Sequence, residues 1–140
     1  MAKTKPTNVN VARFISAVEN ETRREDAKSL LKVFEQATGW NAKMWGPTIV
    51  GFGAYDYAYD SGRSGSTCVV GFSPRKANLV IYVFGFPGKA ELLSRLGPHK
   101  GGLKGCLYIN TLADIDTTVL VKILRAGVIA TKKAWPVRAS

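Results

Sequence analysis

The sequence predicts a single α+β domain in which helices pack on a mainly antiparallel sheet of about four to five strands. Apolar residues recur at helical spacing near both ends of the chain, and they alternate with polar residues in its middle. The links between the middle segments are only a few residues long, which favours antiparallel neighbours because parallel strands need longer crossovers. We expect a flexible basic tail over 1–7, the domain over 8–133 and a basic C-terminal tail over 134–140.

Four segments have the pattern of amphipathic helices. The first follows Asn8 or Asn10, either of which can cap it, and its apolar residues lie between positions 11 and 18. The second begins at a predicted capping box of Thr22 and Glu25, and Gly39 is suited to its C-terminal end. The other two are predicted over 88–96, before Gly97-Pro98, and from Asp114 or Asp116 toward Lys133.

The strand pattern begins after a connector over 40–47 that contains two tryptophans. From there the apolar period changes to two, which is typical of strands with one buried face. Strands are predicted over 49–53, 55–59, 67–72, 78–86 and 106–109, with Ser73–Lys76 as a tight turn between two of them.

The composition is that of a folded domain with a basic surface. Of the 140 residues, 46% are apolar and 21% charged, and 20 lysines and arginines against 10 acids give a net charge of +10. This surplus favours anionic partners, nucleic acid among them. The chain has no apolar signal core and no run long enough to span a bilayer, so we expect a cytoplasmic protein without membrane association. Cys68 and Cys106 are expected to be reduced core thiols.

The positive charge is concentrated in one half of the chain. Residues 61–113 hold seven of the lysines and arginines and a single acid, Glu91. The same half contains the turn Ser73–Lys76 and the glycine-rich stretch Gly97–Gly105, where backbone N–H groups are free to meet an anion. The alternative is that these basic residues form an ordinary solvated surface.

The glycine-rich stretch does not fit a nucleotide-hydrolysing loop. Leu103 stands where a P-loop needs lysine, and the order helix, loop, strand is the reverse of the order that a P-loop requires. His99 is the only histidine, and no metal-ligand spacing or catalytic triad motif is visible. The sequence therefore favours a binding domain over an enzyme, and it predicts no cofactor and no metal site.

Two features leave alternatives open. The three tyrosines of 55–59 share one face of a strand, where they either pack beneath the helices or form an open face that lines a pocket or stacks bases. The acids near the second helix form either a solvated helix start or a loose oxygen-rich surface for iron, and they are Glu19, Glu21, Glu25 and Asp26.

Motifs spread from about Val9 to Leu124 are shared with a known family. The most specific are Gly-Phe-Ser-Pro-Arg-Lys over 71–76, and Leu-Gly-x-His-Lys over 96–100 followed by Cys-Leu-Tyr-Ile over 106–109. In these motifs the chain resembles the YdhG-like family of small bacterial domains of unknown function. The resemblance implies one cytoplasmic α+β domain, and one branch of the family is described as a frataxin-like intracellular iron chaperone. The chain departs from the family at Pro98, where lysine is usual, and over Gly101–Gly105, which is one residue longer.

The leading hypothesis is a non-enzymatic binding domain whose pocket for a small anionic ligand lies between Ser73–Lys76 and Gly97–Gly105. The alternatives are a frataxin-like iron chaperone and a nucleic-acid-binding module that uses the basic half of the chain. The ligand's identity and the oligomeric state stay open. The residues predicted to bind the ligand are Trp45 and Tyr57 as an aromatic wall, and Arg75, Lys76, His99 and Lys100 for its charge.

Overall fold

The computed structural model describes residues 7, 9–103 and 106–139. The predicted N-terminal tail lies outside these residues apart from Thr7, as do Asn8, Lys104 and Gly105. The helices are α1 Val11–Ser16, α2 Glu21–Thr38, α3 Lys89–Leu96 and α4 Thr117–Ala134, with a 3-10 turn over Leu112–Asp114. The strands are β1 Ala42–Trp45, β2 Ile49–Phe52, β3 Ala54–Ala58, β4 Ser64–Thr67, β5 Val70–Pro74, β6 Leu79–Val83, β7 Lys100–Gly101, β8 Leu107–Ile109 and β9 Val137–Arg138.

The strands form two antiparallel sheets. The large sheet has six strands in the order β1-β2-β5-β6-β8-β7, and the small sheet has three in the order β4-β3-β9. Every pairing within the described residues is antiparallel. The α+β class and the antiparallel character are therefore confirmed, whereas the strands outnumber the predicted four to five and divide between two sheets.

Three short strands lie where the sequence predicted none. β1 occupies the predicted connector over 40–47, β7 lies inside the glycine-rich stretch, and β9 lies within the range 134–140 that was predicted as a tail. β7 and β9 have two residues each, too few to show an alternating pattern. They form because a neighbouring strand offers its backbone groups: Lys100 pairs with Tyr108, and Val137 pairs with Tyr55. The end of the chain is thus partly paired with the domain.

One long hairpin connects the two sheets. β2 and β3 follow each other along one arm, and β4 and β5 along the other, so the pairing passes from the large sheet to the small one. The predicted strand over 67–72 is accordingly divided at Cys68-Val69. The opposite arm bends at Gly53, which has a positive φ of 67° and touches the Trp40 ring, so it leaves no room for a side chain.

Helices α2 and α4 cover one face of the large sheet. Phe34 of α2 lies against Phe52 and Phe72, with ring centroids 5.3 and 5.2 Å away, and none of the three rings is accessible to solvent. Leu120 and Ile123 of α4 are buried in the same cluster. This face therefore holds the main core, in which each fully buried apolar side chain contributes about 1.5–3 kcal/mol to stability.

The opposite face of the large sheet carries a second, smaller apolar cluster. Gly51 and Gly71 pair across β2 and β5, and Trp45 lies over Gly51, where a Cβ atom would be 2.4 Å from its ring. Ala54 and Cys68 complete the cluster around Trp45, which is fully buried. The two adjacent glycines therefore let an indole ring approach the backbone of the sheet closely.

Asparagine and aspartate side chains begin the helices. Asn10 and Asn20 cap α1 and α2, each accepting from the backbone N–H three residues later at 3.0 and 2.9 Å. The predicted capping box at Thr22 is wrong because α2 starts earlier, at Glu21, where Asn20 already satisfies a free amide. Asp116 caps α4, and Gly39 ends α2 with a φ of 74°, as predicted. None of the described helices combines the length and the apolar character needed to cross a membrane.

Candidate functional site

The two turns singled out in the sequence lie at the same edge of the large sheet. The β5–β6 turn lies between Pro74 and Leu79, which pair with each other. Leu79 also pairs with Ile109, the last residue of β8. β7 begins at Lys100, which pairs with Tyr108 one residue away. The antiparallel order β5-β6-β8-β7 thus brings both turns together, as the sequence hypothesis requires.

The two turns open into separate cavities. Arg75 and Lys76 line a cleft of about 590 Å³ between the β5–β6 turn and the α1–α2 connection, which we call the basic cleft. His99 and Lys100 line a smaller cavity of about 400 Å³ on the other side of the turn, with Asn78 among its walls, which we call the loop pocket. The four charged residues predicted for one pocket are therefore divided two and two.

The predicted aromatic wall belongs to neither cavity. Trp45 is fully buried over Gly51, so it has no surface to offer a ligand. Tyr57 lies on β3 in the small sheet. The sequence pattern cannot show this, because the side of the sheet on which Trp45 lies depends on the pairing of β1 with β2.

Arg23 is the residue of the basic cleft that sequence reasoning missed. It lies in the first turn of α2 and is only 9% exposed. Its Nη1 donates to the Asn110 carbonyl at 2.5 Å and its Nη2 to the Lys76 carbonyl at 3.4 Å, so it joins the β5–β6 turn to the end of β8. Its Nε has no hydrogen-bond partner within the described part of the chain. A signal was present: Arg23 precedes Ala27 by four residues, on the buried stripe of α2.

The rest of the basic cleft combines an apolar wall with further basic groups. Phe14, Val18 and Pro74 supply apolar surface. Arg75 is exposed, and its Nη2 donates to the Tyr82 hydroxyl at 2.8 Å. Burial raises the pKa of the Tyr82 phenol, while the neighbouring Arg75 guanidinium acts to lower it. The acid that lines the cleft is Glu19, against Arg23, Arg75 and Lys76.

The glycine-rich stretch forms a hairpin. Gly101 has a φ of 66° and pairs with Leu107 of β8, so its backbone takes part in the sheet rather than in an anion cradle. The His99 Nδ1 lies 2.7 Å from the Gly97 carbonyl oxygen, and because a carbonyl only accepts, this ring nitrogen carries the proton. Of the stretch, Lys104 and Gly105 lie outside the described residues.

The acids near the start of α2 are dispersed. Asp26 accepts a hydrogen bond from the Leu112 backbone N–H at 3.0 Å, and Glu25 lies 3.1 Å from the Lys28 amine. Within the residues that the structure describes, no group of three or more His, Cys, Asp or Glu side chains is placed to hold a metal ion. Two of the four acids, Glu25 and Asp26, thus have individual partners of their own.

Tyr55 and Tyr57 lie on β3 of the small sheet, Tyr59 follows the end of this strand, and the row of rings continues to Trp135. Tyr57 is 5.5 Å from Tyr59 and 6.5 Å from Trp135 between ring centroids, and Tyr59 is 5.6 Å from Trp135. We call Tyr55, Tyr57, Tyr59 and Trp135 the aromatic ladder. Tyr59 is 53% exposed, so the outer end of the ladder is open to solvent rather than beneath the helices.

The other face of β3 carries an acid, as its alternation predicts. Asp56 accepts hydrogen bonds from the Ser66 hydroxyl and from Arg138 Nη1, the latter at 2.6 Å. The Ser66 hydrogen bond and then the Arg138 guanidinium hold the pKa of the Asp56 carboxyl below its usual range. Arg138 is thereby engaged on the face opposite the ladder.

A further cavity lies at the far end of β6 and contains a buried lysine. This cavity of about 610 Å³, which we call the Lys89 cavity, is lined by Lys89 together with Tyr55, Cys68, Tyr82 and Cys106 among others. Lys89 is 2% exposed, and its Nζ donates to the Val83 carbonyl at 3.2 Å. Burial lowers the pKa of its amine.

From the sequence, Lys89 is one of the seven basic residues of 61–113 and was not distinguished from the others. Its position was nevertheless informative, since Lys89 precedes the buried Leu93 by four residues on α3. A cation on the buried stripe of an amphipathic helix is uncommon, because lysine is almost never fully buried without a partner. The same signal applies to Arg23 on α2.

Comparisons of the chain with protein-family models, with curated proteins and with solved structures find no match. The resemblance to the YdhG-like family therefore stays a prediction that rests on its motifs.

Proposed function

We propose that this protein is a non-enzymatic binding domain for a small anionic ligand, and that the basic cleft is its binding site. The observation that carries the proposal is Arg23, a buried guanidinium group whose Nε has no partner within the described residues, in a cleft that Arg75 and Lys76 also line. A buried N–H without an acceptor is costly, by about 1–3 kcal/mol. An anion in the cleft would compensate the charge of this buried group.

The shape and charge of the cleft favour an anion that has an apolar part. Guanidinium groups present planar pairs of N–H donors that match carboxylate and phosphate oxygens. The apolar wall formed by Phe14, Val18 and Pro74 would contact the rest of the ligand. Glu19 lies at the same cleft and would repel a highly charged ligand, so we expect a singly or doubly charged one.

The test is ligand-induced thermal stabilisation with inorganic phosphate and phenyl phosphate as probes, at constant ionic strength. A ligand at ten times its Kd stabilises the folded state by about 1.4 kcal/mol, which raises the Tm of a domain of this size by about 3–6 °C. We expect phenyl phosphate to reach this shift at a lower concentration than phosphate, because only phenyl phosphate contacts the apolar wall.

Two double variants locate the site. Arg75→Gln with Lys76→Gln removes the exposed charges of the basic cleft, whereas His99→Gln with Lys100→Gln removes the equivalent pair from the loop pocket. The proposal requires that the first pair abolish the shift and that the second leave it unchanged. A shift that survives Arg75→Gln with Lys76→Gln would overturn it.

The aromatic ladder supports a second candidate function, the binding of single-stranded nucleic acid. Tyr57, Tyr59 and Trp135 present neighbouring rings of which the outermost is more than half exposed. Aromatic rings on a basic protein are suited to stack bases, since stacking contributes about 1–3 kcal/mol per base. The backbone of Arg63 accepts a hydrogen bond from Tyr59 N–H at 2.8 Å, which places a basic residue beside the ladder.

This candidate is tested by fluorescence anisotropy with a labelled oligothymidine at several salt concentrations. Tyr59→Ala should weaken binding by at least about fivefold, whereas Tyr108→Ala, an exposed tyrosine of the large sheet, should leave it unchanged. Affinity should also fall steeply as salt rises. Equal effects of the two variants would exclude the ladder as the interface.

A further inference from the structure

The Lys89 cavity is lined by a buried amine, two phenols and two cysteine side chains. Lys89 comes from the first turn of α3, Tyr82 from β6, Tyr55 from β3, and the two cysteines from the segments before β5 and β8. Apolar and backbone groups of 83–85 form much of the remaining wall. The cavity lies at the end of β6, whereas the basic cleft lies beside the turn that precedes β6, so the two are separate sites.

The surroundings of Lys89 do not supply a counter-charge. Its Nζ contacts a single carbonyl oxygen, that of Val83, and lies 5.9 Å from the centre of the Phe86 ring. No carboxylate lines the cavity within the described residues. Glu91, the acid of α3, is exposed and pairs with Arg95 at 2.7 Å. A lysine enclosed in this way has a larger neutral fraction than an exposed one, and the neutral amine is the nucleophilic form.

The phenols and the Cys68 thiol around Lys89 add no charge that would oppose the effect of burial on its pKa. Burial raises the pKa of the Cys68 thiol to about 12 and raises the pKa of the Tyr55 and Tyr82 phenols. Tyr55 comes from β3, Tyr82 from β6 and Cys68 from the segment before β5. Near neutral pH, Cys68, Tyr55 and Tyr82 therefore place no negative charge beside Lys89 that would hold a proton on its amine.

We propose that Lys89 is a nucleophilic amine that forms a reversible imine with small aldehydes or ketones that have an apolar body. The lone pair of Nζ attacks the carbonyl carbon to form a carbinolamine. The carbonyl oxygen then leaves as water with the two protons of the nitrogen, and a C=N bond remains. Tyr55 and Tyr82 line the same cavity and are suited to relay a proton to the leaving hydroxyl. The step consumes neither an oxidant nor a reductant.

The experiment traps the imine in the folded wild-type protein. Benzaldehyde is added at pH 7 with sodium cyanoborohydride, which reduces the C=N bond to a stable amine, and labelled lysines are identified by peptide mass spectrometry. We expect Lys89 to be labelled several-fold faster than Lys28, because burial lowers the pKa of the Lys89 amine and so raises its neutral fraction. Lys28 is an exposed lysine on α2 and serves as the internal control. The labelling rate of Lys89 should also level off at a lower pH than the ordinary pKa of a lysine amine would give.

Three further measurements make the outcome decisive. Lys89→Arg should remove this label and leave the labelling of Lys28 unchanged. Glyoxylate, an aldehyde with a carboxylate instead of an apolar body, should show no preference for Lys89. Labelling of Lys28 without Lys89, or labelling of Lys89 only after unfolding in urea, would show that the amine merely joins α3 to the Val83 carbonyl. Equal rates for glyoxylate and benzaldehyde would overturn the assignment to apolar carbonyl compounds.

Discussion

The two ends of β6 hold positive charge in opposite ways. Beside the turn that leads into β6, Arg23 is buried but donates to two backbone carbonyls. Arg75, in the same turn, donates to the Tyr82 hydroxyl. After the last residue of β6, Lys89 is buried more completely and donates to one carbonyl. One strand therefore separates a pair of guanidinium groups with several acceptors from an amine that has almost none.

The difference follows from the chemistry of the two side chains. A guanidinium group stays protonated in a protein and spreads its charge over a planar set of donors, so partial burial leaves it cationic and able to bind an anion. An ammonium group concentrates its charge, and burial without a carboxylate favours loss of its proton. Burial therefore has different consequences at the two ends of β6: Arg23 keeps its charge, whereas the pKa of the Lys89 amine falls.

The largest effect should come from Arg23→Met, which keeps an unbranched, largely apolar stem but removes the guanidinium donors. The Asn110 and Lys76 carbonyls would lose their charged partner, and we expect the free energy of unfolding in urea to fall by about 2–3 kcal/mol. Lys28→Met is the matched control on the exposed side of α2, with an expected loss below about 0.5 kcal/mol. Equal losses for the two variants would contradict the role given to Arg23.

A smaller effect of opposite sign is expected for Lys89→Met. The change replaces a buried amine by an apolar side chain of similar size, and we expect the variant to be more stable than the wild type by about 1 kcal/mol at pH 7. Burial lowers the pKa of Lys89, so the folded protein holds this proton less tightly than the unfolded chain, in which the pKa is near 10.5. Between the two pKa values the stability of the wild type therefore rises with pH.

The measurement that checks this prediction is urea unfolding of both proteins from pH 6 to pH 10.5. The advantage of Lys89→Met should shrink as pH rises through that interval, because the wild type loses its buried charge. A variant that is less stable than the wild type by the same amount at every pH would instead mean that the hydrogen bond to Val83 dominates.

Much of the fold could be predicted because the helices and most strands follow from the spacing of apolar residues within short segments. The helical periods around Ile15 and Leu30 and the end of α2 at Gly39 are set by residues within a few positions of one another. The strands β7 and β9 could not be predicted, since their residues become strands only when Tyr108 and Tyr55 lie beside them. Val137 is far from Tyr55 along the chain, and two residues in each of these strands are too few to show a period in the local sequence.

The candidate site, too, could be predicted only in part. That Ser73–Lys76 and the segment around His99 meet at one sheet edge follows from antiparallel order, which the sequence indicated. The direction of each side chain does not follow: the turn sends Arg75 and Lys76 to one side and Asn78 to the other. Arg23 and Lys89 were within reach of prediction, since both place a cation on the buried stripe of a helix.

The smallest effect is expected for Tyr82→Phe. Tyr82 is the residue that contacts groups from both ends of β6. Tyr82 lines the Lys89 cavity, and its hydroxyl accepts from Arg75 of the basic cleft. Loss of this hydrogen bond should lower the free energy of unfolding by about 0.5 kcal/mol. It should also free the Arg75 guanidinium for a bound anion, so we expect phenyl phosphate to bind about two- to threefold more tightly in calorimetric titration, a gain of about 0.5 kcal/mol.

The control is Tyr108→Phe, an equally conservative change in the loop pocket, which should alter neither quantity. Weaker binding by Tyr82→Phe would mean that the phenol positions Arg75 for the ligand instead of competing with it. Because the same phenol lines the Lys89 cavity, the labelling of Lys89 in this variant then separates the two sites. A change in anion affinity with unchanged labelling places the effect of Tyr82 on Arg75 alone, whereas a change in both means that the two ends of β6 do not act independently.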